Sequence, residues 1–511
     1  MSSRHAIVPR GLNATRSPLS QGRFGRMFRS LAPAKFGPNN ADNVGNLAAL
    51  ADKMVATFDP PKDGPDAEES GIPALYTYFG QFVDHDITFD PVSSLTKQQD
   101  PDGLVDFRTP SLDLDNLYGR GPNDQPYMYD GIKFRLGETL SGAGVPDTND
   151  LPRFKGRALI GDPRNDENSI VSQFQALMLR FHNRMVDDND SLSFEEVQQR
   201  VRFHYQYVVL NDFLPRIVHA SVLDQLKTAG RYDRGKLAYY HWRNFPFMPV
   251  EFSVAAYRLG HSMIRPGYRL NDADNMLLQI FPDRDKPDQN ALTGFRAMGP
   301  GRAIDWGRFI DLDMRAYGVE DAPDNPDNKK RLQFAYRIDT ALVDPLGHLP
   351  PEVASNPASL ALRNLERGWR LGLPSGQAVA RAMHLTPLTD DQIIIGKAVD
   401  EPGPGDPQTK IATIANGVFA GNCPLWAYIL AEARQFKTDV TIAATGAPGP
   451  ITTPQLGPVG GRIVAETFLG MMFGDNASVL SLDPHWAPVT GAGFALKDLV
   501  AYALGQGDPL H

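Results

Sequence analysis

From Ile72 onward, apolar residues recur at helical spacing along most of the chain, and this pattern predicts a mainly α-helical protein. Over residues 168–186 they follow steps of one, three and four, as on one face of an amphipathic helix. A second helix is predicted from residue 194, with Ser193 as N-cap and Glu196 in the capping-box position. The same spacing predicts further helices at 46–58 and around 254–263, 359–371, 423–434, 461–473 and 496–504.

The segments between these helices are rich in Pro, Asp and Gly, and the longest of them are predicted loops at 264–330 and 435–458. Few segments alternate with a period of two, so strands are expected to be short and peripheral. We therefore predict one large helical domain over 71–511, with long loops and little β-structure. Residues 1–70 are predicted to form an irregular N-terminal arm that packs on it.

Composition narrows the possible classes of function. The 511 residues carry a formal net charge of -9. Because the chain has no excess of basic residues to neutralise phosphates, this charge argues against a nucleic-acid-binding protein. No apolar run approaches the ~18 residues of a membrane span, and the N-terminus has no apolar signal core. A cytoplasmic location is therefore expected by default, with leaderless secretion left open, and the oligomeric state is also open. The single cysteine, Cys423, rules out intrachain disulfides and is expected to be buried.

A polar cluster interrupts the apolar run at residues 76–87. On a helix, Gln81, Asp84 and His85 share one face, while Asp86 points about 100° further round. One interpretation is a helix end with solvated acidic groups. The other is a general-base histidine beside a carboxylate, with Asp86 directed towards a metal ion.

A second polar pattern follows at residues 109–115, where oxygen-bearing side chains alternate along the chain. An extended stretch would direct the four of them to one side: Thr109, Ser111, Asp113 and Asp115. Together with Asp86 they would supply enough oxygen donors for calcium, although the spacing is not that of an EF-hand. The alternative interpretation is a solvated strand or turn.

The segments GQFVDHD (80–86) and TPSLDLDNLYG (109–119) resemble the distal helix and calcium loop of animal-type haem peroxidases. These are the myeloperoxidase-like proteins of the peroxidase–cyclooxygenase superfamily. Four further segments resemble the family in its own order, namely GDPRNDEN (161–168), YRLGHSMI (257–264), LRNLERGWRLGLP (362–374) and LGPVGGRIVAETFLGMMFGD (456–475). The amino-acid sequence of the last third, for example CPLWAYILAEA, is more similar to that of the family's bacterial members.

On the proximal side, the resemblance implies haem b with His261 as the iron ligand. Asn364 is implied as the hydrogen-bond acceptor of that histidine, because a ligating imidazole needs a partner for its second nitrogen. Arg367 is implied to pair with a haem propionate, assisted by Arg258.

On the distal side, the resemblance implies His85 as the base, with Arg164 as its charged partner. Gln81 is implied as the polar residue that positions a distal water or halide. Asp84 and Glu167 correspond to the two carboxylates that the family esterifies to haem methyl groups.

The resemblance also implies bound Ca²⁺, held by Asp86, Thr109, Asp113 and Asp115, with a contribution from Ser111. Two positions depart from the family pattern. Asn168 replaces a methionine that is bonded to a haem vinyl group in some members, so that link is not expected. Arg258 occupies the position of the radical-forming tyrosine of cyclooxygenases and fatty-acid dioxygenases. Tyr257 is predicted to face elsewhere on a regular helix.

The function implied is a peroxidase that reduces hydrogen peroxide to water through a ferryl state and oxidises phenols, halides or thiocyanate. Two alternatives are retained. A fatty-acid dioxygenase of the same superfamily would need no added peroxide. A non-catalytic protein that binds haem or calcium would show no turnover. The sequence leaves the reductant and the halide preference open.

Overall fold

The computed structural model describes residues 22–505 apart from 90–104, 107, 284–285, 287–289, 321, 323, 355, 489–490 and 492. The first 21 residues of the predicted arm therefore lie outside the described residues. Helices dominate the described chain, which confirms the predicted fold class. The longer ones are α1 Asn40–Met54, α2 Leu75–Ile87, α3 Ser169–Asp187, α4 Phe194–Val208, α5 Leu360–Arg370, α6 Gly376–Ala382, α7 Leu425–Ala433, α8 Pro458–Gly474 and α9 Leu496–Leu504.

The capping predictions hold at α4, where Ser193 and Glu196 form the reciprocal capping box. Beyond Val208 the helix continues as a π-helical turn, Val209–Phe213, and then as a short α-helix, Leu214–Ile217. Pro215 has no N–H to donate, so regular α-helical bonding cannot continue through it.

The helix predicted at 254–263 was wrong in type. Val250–Ser253 is a short α-helix and Ala256–His261 is a 3₁₀-helix. The two are separated at Ala255, whose φ of -133° and ψ of -76° lie outside the helical region. Apolar spacing alone does not distinguish these two helix types, because both place residues three positions apart on one side.

Other short helices connect these elements. The α-helical ones are Asp115–Tyr118, Ala220–Leu223, Asp344–Gly347 and Val479–Leu482. The 3₁₀-helical ones are Pro126–Met128, Pro163–Asp166, Asp224–Leu226, Arg234–Lys236, Asp274–Met276, Trp306–Arg308 and Ile411–Gly417.

Strands are short, as predicted, and the described ones form small sheets. Gly22–Gly25 pairs parallel with Met248–Pro249 and antiparallel with Val105–Asp106. The two-stranded sheets are Glu69–Pro73 with Phe334–Tyr336, Tyr129–Asp130 with Lys133–Phe134, Thr139–Gly142 with Val145–Asn149, Arg153–Phe154 with Arg157–Ala158, Lys227–Thr228 with Arg231–Tyr232, Gly267–Arg269 with Leu277–Gln279, Arg315–Ala316 with Ala444–Thr445, Ile394–Ile395 with Thr409–Lys410 and Lys437–Val440 with Ile451–Pro454. The predicted loops 264–330 and 435–458 thus contain some of these strands.

The core forms around α2 and α3, which pack through aromatic rings. Phe82 and Phe174 meet edge to face at 5.2 Å, and Phe79 and Phe174 at 5.9 Å. The segment Ala256–His261 also contacts α2. The helix α2 therefore lies between α3 and this segment. Cys423 is buried, as expected.

The described part of the N-terminal arm lies on the helical body. The backbone N–H groups of Met27 and Phe28 donate to the buried carboxylate of Glu251, each at 3.1 Å, and α1 packs on α5. The strand Glu69–Pro73 spans residue 70, the predicted boundary between the N-terminal arm and the helical domain. That boundary stays a prediction. Within the described ranges, every helix is too short or too polar to cross a bilayer.

Candidate active site

A cavity of about 370 Å³ opens beside α2, a volume typical of a small-molecule or cofactor site. Most of its walls come from α2, the segment around Arg164 and the 3₁₀-helix that ends at His261, and α5 adds Arg367. The predicted site residues that line it are Gln81, Asp84, His85, Arg164, Glu167, Arg258, His261 and Arg367. The structure therefore brings two histidines, three arginines and two acidic residues to one cavity.

His85 is buried and held by a pair of amides. Its Nδ1 lies 2.7 Å from Oδ1 of Asn165, and Asn165 Nδ2 donates to Gln175 Oε1 at 2.8 Å. The second bond orients the amide so that its oxygen faces the ring, which favours the proton on Nδ1 and a free lone pair on Nε2. Burial, and then the charge of Arg164, lower the pKa of His85 to about 4. The ring is therefore neutral near pH 7 and available as a base.

Arg164 is fixed against the carboxyl end of α2. Its Nη2 donates to the carbonyl oxygens of His85 at 3.0 Å and Thr88 at 2.6 Å, and to Asp162 Oδ2 at 2.8 Å. The guanidinium also lies over the ring of Phe89, 4.5 Å from its centroid. These contacts leave Nη1 without an acceptor among the described residues. The charge of Arg164 therefore borders the cavity in a fixed position.

Asp162 is the buried counterion of Arg164, and it also binds Arg108. Burial raises its pKa, but the charges of Arg164 and Arg108 prevail and hold the pKa well below its usual range. Arg108 makes a second ion pair with Asp115. One ion-pair chain therefore connects the acidic cluster around Asp115 to the arginine at the cavity.

Gln81 and Glu167 meet at the cavity wall. Gln81 Nε2 donates to Glu167 Oε1, and Asn168 Nδ2 donates to Gln81 Oε1 at 3.1 Å. The same carboxylate oxygen lies 3.8 Å from His85 Nε2. Burial is the main reason that the pKa of Glu167 rises to about 7. The hydroxyl of Thr88, one helical turn further along, donates to Asp84 Oδ1 at 3.1 Å.

On the opposite side of the cavity, His261 Nδ1 lies 2.8 Å from Asn364 Nδ2. The atom that faces the ring is the amide nitrogen, Nδ2, rather than the oxygen. A histidine that offers Nε2 to iron carries its proton on Nδ1, and a 180° rotation of the Asn364 amide supplies the oxygen to accept it. Burial, and then Arg258, lower the pKa of His261 to about 3, so the ring is neutral as a metal ligand requires.

Tyr257 corrects one expectation. It lines the same cavity as His261, and its hydroxyl donates to the carbonyl of Gly80 at 3.1 Å. The prediction that it faces elsewhere assumed a regular α-helix. Residues four positions apart are about 40° apart on a regular α-helix and about 120° apart on a 3₁₀-helix. Tyr257 and His261 therefore lie on different sides of Ala256–His261, and both reach the cavity because it is lined by most of this segment.

The lining of the cavity fits a haem. Two buried hydroxyl oxygens at its edge, those of Thr77 and Ser253, have no hydrogen-bond partner among the described residues. Such groups are costly unless a ligand satisfies them. Arg258 and Arg367 add positive charge suited to two propionates, and the remaining wall is largely aromatic and aliphatic.

Behind α2, three carboxylates converge. One oxygen from each of Asp86, Asp113 and Asp115 lies within 4.8 Å of the others. Burial raises the pKa of all three, to about 7 for Asp113 and about 6 for Asp115. One oxygen of Asp86 is buried without a hydrogen-bond partner among the described residues. Buried acids with unsatisfied oxygens are a suitable environment for a divalent cation.

The segment that supplies these acids is not simply extended, as the alternation had suggested. Leu114 adopts a left-handed conformation (φ 58°, ψ 35°), and Asp115 begins a short helix. Thr109 Oγ1 donates to Asp113 Oδ2 at 2.8 Å, within the cluster. Ser111 Oγ instead donates to Asp475 Oδ2 at 2.7 Å, a carboxylate outside the three that converge.

Four residues of the site were not found from the sequence: Arg108, Asp162, Asn165 and Gln175. Gln175 had a usable signal, because it is an amide on a helix whose neighbours are largely apolar. The other three act through contacts between segments that lie far apart in the sequence, for which periodicity gives no signal.

Residues 94–285 match the profile of the animal haem peroxidase family. Human thyroid peroxidase is 30% identical over 236 residues, which are 39% of this chain and 23% of that protein. Chorion peroxidase of Drosophila melanogaster is 29% identical over 128 residues, 24% of this chain and 16% of that protein. The chain therefore spans less than a quarter of these curated relatives.

Solved structures share the fold at low identity. Peroxidase A from Dictyostelium discoideum aligns with a TM-score of 0.54 and 18% identity, covering 91% of this chain and 90% of its own. A fatty acid alpha-dioxygenase from Oryza sativa aligns with a TM-score of 0.52 and 15% identity, covering 99% of this chain and 87% of its own.

Residues 94–285 therefore resemble the animal haem peroxidase family, and the chain shares the fold of a solved peroxidase. Within the superfamily, the matches include both peroxidases and dioxygenases. The bacterial origin that the last third of the chain suggests stays a prediction.

Proposed function

We propose that this protein is a haem-dependent peroxidase that reduces hydrogen peroxide to water and oxidises small donors such as phenols, halides or thiocyanate. The observation that carries this proposal is the arrangement around one cavity. A neutral, amide-fixed His85 and the charge of Arg164 line the same cavity as a second neutral histidine, His261.

His261 would hold the haem iron, and Asn364 would hold His261 in orientation. Arg258 and Arg367 would bind the propionates. When bound, haem supplies an iron that can take up peroxide and exchange electrons with it and with a donor. Ester links to haem methyl groups are proposed for the carboxylates described above, Asp84 and Glu167.

The distal residues would manage protons and charge. His85 Nε2 accepts a proton from the incoming peroxide and returns it to the departing oxygen, which leaves as water. A positioned base of this kind contributes about 10²–10⁴-fold in rate. Arg164, anchored by Asp162, stabilises the negative charge that develops as the O–O bond breaks. Gln81 holds Glu167 beside His85 and can position a distal water or a halide.

We further propose that the acidic cluster binds Ca²⁺ through Asp86, Thr109, Asp113 and Asp115, with a backbone oxygen of Ser111. Three converging carboxylates with raised pKa values support this assignment, because a divalent cation would neutralise them. Asp86 directly follows His85, so the ion would stabilise the helix that carries the base.

A spectrum and a turnover assay test the peroxidase function. The protein reconstituted with haem should show a Soret band that changes on addition of hydrogen peroxide, and it should oxidise a chromogenic phenol in the steady state. His85→Ala should retain the haem and lose most of the rate with peroxide. A haem-loaded protein that neither changes its spectrum nor oxidises any donor would favour the non-catalytic alternative.

The second candidate is a fatty-acid dioxygenase, which is favoured by Tyr257 in the cavity wall. Its aromatic ring stacks on Phe252 at 4.6 Å, and its hydroxyl reaches α2. Oxygen uptake with a long-chain fatty acid and no peroxide would support this candidate. If Tyr257→Phe loses this oxygen uptake but retains phenol oxidation, the dioxygenase activity depends on Tyr257 and the peroxidase activity does not.

A further inference from the structure

A second cavity, of about 380 Å³, lies on the other side of the segment that carries Glu167. Asp166 and Ser169, at the start of α3, form one wall. The opposite wall is the loop 290–302, and Asn275 and Met276 close one end. We call this space the Arg302 cavity, after the arginine that lies deepest in its lining. It shares no lining residue with the cavity of His85 and His261.

Arg302 is only 6% exposed, and its described acceptors are all uncharged. Both terminal nitrogens lie 3.2 Å from the carbonyl oxygen of Ala291, and one also donates to Ser169 Oγ at 3.2 Å and the other to Asn290 Oδ1. A buried guanidinium without a counterion is costly, because its charge has left water without compensation.

A second arginine, Arg296, lines the same cavity and faces solvent. It contacts only neutral acceptors among the described residues, the carbonyl of Ala291 and the hydroxyl of Thr293, each at 3.4 Å. Burial, and then the nearby charge of Arg296, lower the pKa of Arg302. The two like charges therefore oppose each other across this small space.

The acidic residue in the lining does not neutralise them. Asp166 is bound instead by Arg153, through two hydrogen bonds of 2.7 and 2.8 Å. The cavity thus holds two positive charges without an ion-pair partner among the described residues. It also offers neutral donors that suit an oxygen-rich ligand, in Ser169, Thr293 and the amides of Asn275 and Asn290.

We propose that the Arg302 cavity binds a small oxyanion, a carboxylate or a phosphate, between Arg302 and Arg296. Arg302 provides the buried charge, and Arg296 closes the ion pair from the solvent side. Guanidinium groups bind both kinds of oxyanion through charge-assisted hydrogen bonds. An anion there would remove the repulsion between the two arginines.

The backbone around this cavity contains a strained residue. Phe295, beside Arg296, has a φ of 55°, which bulky residues rarely adopt, and its side chain is 64% exposed. The conformation is held by the segment opposite: Phe295 N donates to Asp166 O at 2.5 Å and Gly294 N to Glu167 O at 3.0 Å. Strain of this kind concentrates at binding sites.

Isothermal titration calorimetry tests the proposal on the purified full chain. Inorganic phosphate, acetate and benzoate are titrated separately at constant ionic strength. Saturable binding of at least one of them is expected, and the comparison of phosphate with the two carboxylates identifies the preferred oxyanion. Because no peroxide or donor is involved, the result is independent of the proposed peroxidase function.

Variants locate the binding. Arg302→Gln should weaken it about 10-fold or more, through loss of a charge-assisted bond. Arg296→Gln changes an exposed side chain, so it should fold normally and weaken binding about 3- to 10-fold. Arg381→Gln, an exposed arginine outside the cavity, is the matched control and should bind as the wild type does. No binding of any of the three anions, or equal affinity in Arg296→Gln and the wild type, would overturn the proposal.

Discussion

The amide of Asn165 sets which nitrogen of His85 carries its proton, so replacing it should slow the reaction with peroxide. Asn165→Ala removes the acceptor that lies 2.7 Å from His85 Nδ1, at a position with no solvent exposure. Water cannot easily replace the lost bond. A proton left on Nδ1 would be a buried, unsatisfied donor, and the ring would respond by moving that proton to Nε2. The base would then be lost from the cavity side.

The size of the effect follows from the cost of that unsatisfied donor. A buried polar group without a partner costs about 1–3 kcal/mol. Since each 1.36 kcal/mol is a factor of ten, the competent tautomer should fall about 5- to 150-fold. The second-order rate constant with peroxide should fall by the same factor, which stays within the ~10²–10⁴ that a general base provides.

Stopped-flow absorbance of the haem-loaded protein measures this rate constant directly. Asn165→Asp restores an acceptor for the Nδ1 proton and should recover most of the rate. The matched control is Asn183→Ala on α3, where the amide also makes two hydrogen bonds, with the backbone of Phe134. Asn183→Ala should lower the free energy of unfolding and leave the second-order rate constant with peroxide unchanged. An Asn165→Ala protein that reacts within about twofold of the wild type would refute the tautomer explanation.

Four other predictions concern the cofactor and the ion. His261→Ala should abolish ordered haem binding, and an unchanged Soret spectrum would contradict the ligand assignment. Asn364→Asp should lower the iron reduction potential, measured by redox titration, because a carboxylate makes the imidazole more anionic; an unchanged or higher potential would show that the contact is not made. Chelation of calcium, or Asp113→Ala, should lower both the melting temperature and the peroxide rate; full activity in protein shown by metal analysis to be calcium-free would refute the coupling. Peroxide treatment should make haem resist acid–acetone extraction, Asp84→Val and Glu167→Gln should each remove one link, and complete extraction after many turnovers would exclude ester bonds.

Helix positions were predictable because burial leaves a periodic signal. The helix α3 was found with bounds accurate to about one residue, since its apolar residues are buried along most of its length. The capping box at Ser193 was equally visible, because its bonds are local. The strands at 437–440 and 451–454 were not found, because the side chains of the first are mostly exposed and those of the second do not alternate between buried and exposed.

Candidate chemistry was predictable where a motif carries it within one segment, as in residues 80–86. The supporting contacts were not. Arg108 binds Asp115 seven residues away and Asp162 more than fifty residues away, and neither contact leaves a periodic pattern. Such ion pairs depend on how distant segments meet, and a single sequence does not record that.

The side chain of Asn168 limits how this protein could evolve a third covalent bond to its cofactor. Asn168 Oδ1 accepts from the backbone N–H groups of Ile170 and Val171 and so caps α3, while its nitrogen donates to Gln81. A methionine at this position would supply the sulfur needed for a vinyl link, but it would leave the first turn of the helix uncapped, at a cost of about 1 kcal/mol. It would also remove the donor to Gln81 Oε1, leaving Gln81 bound only through its bond to Glu167. A lineage that acquires the sulfur must therefore first find another cap for α3 and another partner for that glutamine.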